Sequence, residues 1–160
     1  MGVWTTTPRT WVAGEVPTAA NFNTDVRDFG RAFADAWTSY TPTLTASTTS
    51  PTNWTQTGYY MRAGKLVVAR FRLEAGASMT KGSGTYRVAL PVNANVSTPQ
   101  YAGALLLVDA SPATRGVYMA EVTVASYLTI FGSAGTVTDT NPWTWAANDL
   151  ITGTITYEAA

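Results

Sequence analysis

The chain has 160 residues, enough for one domain with appendages, and its ten basic residues are balanced by ten acidic ones. Without net charge or any run of Lys or Arg there is no basic patch to neutralise phosphates, and no stretch nears the roughly 18 apolar residues of a membrane span, so nucleic acid and membrane insertion are both disfavoured. Cys and His are absent, which removes disulfides, thiol chemistry, the commonest general base and the usual zinc ligands.

Charged residues make up only 12% of the chain, about half the usual share, and Thr takes their place at 28 positions. Thr is β-branched and carries a hydroxyl, so this is the composition of a β-rich protein with a polar but weakly charged surface.

Residues 1–16 hold Trp4 and Trp11 among Thr, Pro and Gly, with no helical or strand period. Two Trp outside any core need a partner surface, so this segment reads as an extended docking arm. Met1 to Thr10 lacks the basic-then-apolar order of a secretory signal, and synthesis in a cytoplasm without export is expected.

Residues 17–37 read as a helix. Thr18 is the expected N-cap, and Phe22, Val26, Phe29, Phe33 and Trp37 follow at steps of four, three, four and four, which places them on one stripe. Asp25, Asp28, Arg31 and Asp35 occupy the other face, with Arg31 and Asp35 as an i,i+4 pair. A helix this short is marginal alone, so its stripe must be covered. Two covers fit the periodicity: the same helix from sister subunits, three of them for a seam this aromatic, or the chain's own β domain. Gly30 interrupts the helix at a cost of about 1 kcal/mol relative to Ala.

Residues 38–57 read as a linker with a first strand at Thr41–Thr45, and residues 58–160 as the head. In Leu66–Leu73 the side chains of Val67, Ala69, Phe71 and Leu73 share one face while Arg70 and Arg72 share the other, as in a half-buried antiparallel strand. Glu74–Gly84 reads as a loop, Thr85–Leu90 as a strand, and Ala102–Val108 as a strand covered on both faces. Gly116–Val124 and Tyr127–Phe131 suit strands. In the last strand Ile151, Ile155 and Tyr157 oppose Thr152, Thr154 and Thr156. Seven or eight short strands between Gly, Pro and Asn turns predict a mainly β protein, an antiparallel β-sandwich, with the jelly roll as one variant.

Catalytic chemistry has little to draw on beyond carboxylates, Lys65, Lys81, Tyr and Ser. Glu74, Asp109, Glu121, Asp139, Asp149 and Glu158 fall mostly at turns or strand ends without a recognisable pair, and surface solvation accounts for them better than glycoside hydrolysis does. Gly82-Ser83-Gly84 after Lys81 lacks the spacing of a phosphate loop. Asp139 with Asn141, or Asn148 with Asp149, has calcium-ligand chemistry, with turn duty the commoner use of these residues. No cofactor is expected. Trp54, Tyr59, Tyr60, Trp143 and Trp145 lie beside turns, where a ring can stack on a sugar or pack against a protein; core or subunit-interface packing is the competing use.

The stretch Trp11-Val12-Ala13-Gly14-Glu15-Val16-Pro17-Thr18-Ala19-Ala20-Asn21-Phe22-Asn23, with Val26-Arg27-Asp28 after it, resembles the N-terminal segment of small virion proteins from tailed phages of actinobacteria, as does Trp37 to Ala46. Gly58-Tyr59-Tyr60-Met61-Arg62-Ala63-Gly64-Lys65 is similar to their GxYxRxGK hairpin, Gly82 to Pro91 to their GSGxWRxSLP strand, and Pro142-Trp143-Thr144-Trp145 to their PFTW turn. Tyr86 and Trp143 depart from these patterns by aromatic exchange. The resemblance implies a minor tail protein or tail fibre: non-enzymatic, often trimeric, exposed on the virion. On that reading the partners are two further copies, a larger tail or capsid protein holding the arm, and a host cell-surface glycan as candidate ligand. A capsid decoration protein or head spike, and a free carbohydrate-binding module, are the alternatives.

Overall fold

The computed structural model describes residues 12–16, 18–23, 30, 37–97 and 100–160. Trp4 and Trp11 of the predicted arm, and Val26, Phe29 and Phe33 of the predicted stripe, lie outside the described residues. A helix, α1, spans Ala19–Phe22, and Thr18 caps it as expected: its hydroxyl accepts the Asn21 amide at 3.2 Å.

The rest is antiparallel sheet. The strands are β1 (Thr38–Tyr40), β2 (Leu44–Ala46), β3 (Thr52–Ala63), β4 (Leu66–Thr80), β5 (Tyr86–Ala89), β6 (Gln100–Asp109), β7 (Thr114–Val124), β8 (Tyr127–Gly132), β9 (Gly135–Thr136) and β10 (Leu150–Glu158). They form a single sheet in the order β1-β3-β4-β10-β6-β7-β8-β5-β2, with β9 paired to β8. The outermost members are β1 and β2, yet only Thr41, Pro42 and Thr43 separate them in sequence. Four Cα steps reach at most about 14 Å, so the two ends of the sheet must meet. The sheet therefore curls on itself, and the two layers of the expected sandwich are two stretches of one sheet.

The local patterns explain the core. In β4 the buried positions are Val67, Ala69, Phe71, Leu73 and Ala75, as period two dictates. In β10 they are Ile151, Ile155 and Tyr157. β10 lies between β4 and β6, with Gly153 opposite both Phe71 and Leu105. Leu105 and Leu107 of β6, Ala120 and Val122 of β7, and Leu128 and Ile130 of β8 add to the interior, with Leu44 of β2 and Tyr86 and Val88 of β5. Tyr157 also ties the loop after β5: its hydroxyl donates to the Val92 carbonyl at 2.8 Å and accepts the Val92 amide at 3.3 Å.

Several boundaries differ from the sequence reading. Residues 38–57, read as linker and one strand, carry β1, β2 and the start of β3, and Pro42 separates the first two. β4 does not stop at Leu73 but runs to Thr80, pairing Ala75 with Trp54 and Thr80 with Thr52; between these pairs Asn53 of β3 faces a bulge of four β4 residues, 76–79. β6 is not covered on both faces, because Leu106 points outward and is exposed. Trp143, Thr144 and Trp145 lie on no strand; they follow the cis Asn141-Pro142 bond in an irregular segment.

Candidate functional site

The five aromatic candidates separate into interior and surface groups. Trp54 and Trp145 are not surface rings: they are 8% and 3% exposed. They pack with Tyr86, which is fully buried, at centroid distances of 5.6–6.4 Å, and Trp143 leans on Trp145 at 5.5 Å. The Trp145 indole donates to the Thr138 carbonyl at 2.8 Å, and the Tyr86 hydroxyl to that of Lys81 at 2.7 Å. Two carbonyls of the connecting loops are thereby satisfied inside the cluster. A ring next to a turn is wet only if the turn faces outward, and these turns close the end of the sandwich. Trp143 is half-buried against the core, and no ligand can reach both faces of its ring while Trp145 stays in place.

Tyr60 is half-buried too, meeting Tyr40 edge-on at 5.9 Å. Tyr40 in turn lies over Gly58, its partner in the β1–β3 register. A Cβ at Gly58 would sit 2.5 Å from the Tyr40 ring, so the absence of a side chain there admits the ring.

Tyr59 alone of the five is an exposed ring, at 39%. It projects from the outer face of β3 beside Arg70 of β4, and the register sets Thr57 beside Arg72 in the same way. Across β4, Thr154 and Thr152 of β10 flank the same two arginines. Thr57, Tyr59, Arg70, Arg72, Thr152 and Thr154 line a shallow groove of about 330 Å³. The guanidinium of Arg70 lies 4.8 Å from the ring of Trp37 and 5.4 Å from that of Tyr59. Arg72 is neutralised by Glu74 at 2.6 Å. Arg70 has no carboxylate partner among the described residues.

Of the predicted stripe, Phe22 is 55% exposed, so its ring is largely uncovered by its own chain. Trp37 is half-buried, with its face on Arg70.

The carboxylates of the head serve local geometry. Both oxygens of Asp149, which is fully buried, accept backbone amides: Oδ1 from Ala110 at 2.9 Å and Oδ2 from Ala146 at 2.8 Å. Asp139 accepts the Gly84 amide at 3.1 Å with Lys81 4.0 Å away, and Asp109 accepts the Ser111 amide at 3.0 Å. Asn141 donates to the Thr136 carbonyl at 2.7 Å. Of the calcium candidates, the carboxylates of Asp149 and Asp139 serve as amide acceptors, while the Asn141 side chain acts as a donor. Asn95 donates to the Glu158 carboxylate at 3.2 Å and Lys65 pairs with it at 3.1 Å; these two bonds and the Lys65 charge lower its pKa.

Sequence parity already put Arg70 and Arg72 on a wet face, and Thr152 and Thr154 on another. What it lacked was the β4–β10 pairing across some eighty residues, which makes these one face. No protein-family model, curated protein or solved structure matches this chain.

Proposed function

We propose that this chain is a non-enzymatic structural component of a tailed-phage virion, a trimeric spike or fibre that docks through residues 1–16 and displays the β head. The observation that carries the reading is Phe22: a large ring on the predicted seam, 55% exposed although a complete β head is available to cover it. Sister helices are then the natural cover, and three copies give a weak docking arm avidity.

Further support comes from where the resembling motifs fall. Gly58 to Lys65 spans the end of β3 and its turn, where Gly64 takes φ +60°. Gly82 to Pro91 covers a two-glycine turn and β5, and Pro142 to Trp145 follows the cis-proline bond into the aromatic cluster. These are fold-determining positions, which suits proteins that share a scaffold rather than a reaction. Membership of a minor tail protein or fibre is favoured over capsid decoration by the resemblance alone. The carbohydrate-binding module is the second reading, and the exposed Tyr59–Arg70 face is what favours it.

The test is immunogold electron microscopy of purified particles with an antibody against the head. Label on particles supports the proposal, and its position separates tail from capsid. Particles that stay unlabelled while free chain remains in the lysate refute it.

A further inference from the structure

We infer that the groove across β3, β4 and β10 is a binding site for a carboxylate-bearing saccharide, with Arg70 as its anion-recognising group and Tyr59 as its stacking ring. The inference concerns the head alone and holds whether or not the chain assembles into trimers.

The chemistry follows from how the three strands divide the work. β4 supplies the cations, set two residues apart on one face and therefore about 7 Å from each other. Arg72 is spent on Glu74, so among the described residues the groove carries one uncompensated positive charge, that of Arg70. That charge lies beside two rings: the guanidinium carbon is 4.8 Å from the ring centre of Trp37 and 5.4 Å from that of Tyr59, within cation–π range. Attraction to a ring face uses none of the guanidinium N–H groups in a hydrogen bond, and a guanidinium edge matches a planar carboxylate with two parallel hydrogen bonds. Holding a long side chain in place beforehand lowers the ordering cost of binding.

The flanking strands supply what a sugar needs besides its charge. Tyr59 offers an exposed aromatic ring beside the cation. Thr57 and Thr154 are exposed on either side, each with a hydroxyl that can donate or accept. Thr152 is less available, since its hydroxyl donates to the Phe71 carbonyl at 2.8 Å. An aromatic ring, a row of hydroxyls and a single unpaired arginine suit a neutral sugar framework bearing one acid group per residue. A polyphosphate chain would call for several free cations, and among the described residues the groove has one. A neutral glycan would leave Arg70 without a role in binding.

The probe is a tetrasaccharide of uronic acid units, titrated calorimetrically into the full chain beside its carboxyl-reduced, neutral counterpart and a glycerol phosphate oligomer of equal length. The expected result is binding of the uronate at least about tenfold tighter than either comparator, the worth of one charge-assisted pair. Arg70→Gln and Tyr59→Ala each weaken uronate binding about tenfold or more. Arg70→Lys, which keeps the charge without the planar fork, falls between wild type and Arg70→Gln. Arg115→Gln removes an exposed charge on β7, outside the groove, and leaves affinity unchanged, which separates a local site from overall charge. Near-ultraviolet circular dichroism confirms that each variant is folded. Were Arg70→Gln to disturb the head, Arg70→Lys and Tyr59→Ala would carry the decision. Equal affinity for the acidic and neutral oligomers overturns the inference. So does tighter binding of the phosphate oligomer, uronate binding that survives Arg70→Gln in a folded head, or no uronate binding by the wild-type chain.

Discussion

Asp149 offers the sharpest test of how the head is held together. It is fully buried and precedes β10, the strand that joins β4 to β6. Its carboxylate accepts amides from two loops far apart in sequence, Ala110 after β6 and Ala146 after the aromatic cluster, at 2.9 and 2.8 Å. A hydrogen bond to a charged group contributes about 1.5–3 kcal/mol, and a buried amide left without an acceptor costs a similar amount. Asp149→Ala removes both acceptors at once and leaves a small void. Recovery of the carboxylate's own hydration offsets part of the loss, so the net cost is about 3–5 kcal/mol. For a chain of this size that lowers Tm by roughly 10 °C. Asp149→Asn keeps the shape and one acceptor but turns an amide group toward the second N–H, and costs about half as much. The assay is urea unfolding followed by tryptophan fluorescence, with the midpoint read at constant m-value. A loss below about 1 kcal/mol for Asp149→Ala would refute the reasoning, because the two amides would then have found other partners. Equal losses for Ala and Asn would refute it as well.

Trp145→Ala should cost about 3–5 kcal/mol by opening a cavity between Trp54, Tyr86 and Trp143; calorimetric melting checks this, and a loss under 1 kcal/mol would show that the cluster is not packed as described. Gly58→Ala should cost about 1–3 kcal/mol, since its methyl group must displace the Tyr40 ring at the β1 end of the sheet, and amide exchange should report faster opening of β1 than of β10. Burial pushes Tyr157 up to about 12 despite its bond to Val92, and it raises Tyr40 and Tyr86 as well, the latter helped by the Asp139 charge. These phenols ionise more readily in the unfolded chain, so their contribution is complete below pH about 10 and is lost as pH rises through the folded values. Stability should fall by about 1.4 kcal/mol per pH unit for each such tyrosine. Tyrosinate absorbance should therefore show a late, cooperative phase that coincides with unfolding; smooth titration of every tyrosine near pH 10 would contradict the burial.

The alternating strands were the legible part of this sequence. Leu66–Leu73 and Leu150–Tyr157 bury one face and wet the other, and a period of two reports that directly. Residues 38–57 were opaque because outward-facing Thr and Ser make a strand look like a loop. Glu74–Thr80 was opaque because Ala75, Gly76 and Ala77 carry too little side chain to show a period. The interior position of Trp54 and Trp145 depends on how two distant turns close the end of the sandwich, and no local pattern encodes that. The groove was half legible: parity gave the outward faces of β4 and β10, while their adjacency rests on a long-range pairing. Trp37 fits the helical stripe by spacing, yet its face lies on Arg70 of the head. The strand that follows at Thr38 therefore begins at the point where stripe and head meet.

The most direct measurement is the mass of the intact chain in solution, by sedimentation equilibrium at micromolar concentration, beside the variant Phe22→Asp/Phe29→Asp. If sister helices cover the stripe, the wild-type chain sediments at three times its 17.1 kDa, and the variant sediments as a single chain whose head melts at an unchanged temperature. A wild-type mass equal to that of one chain would contradict the account.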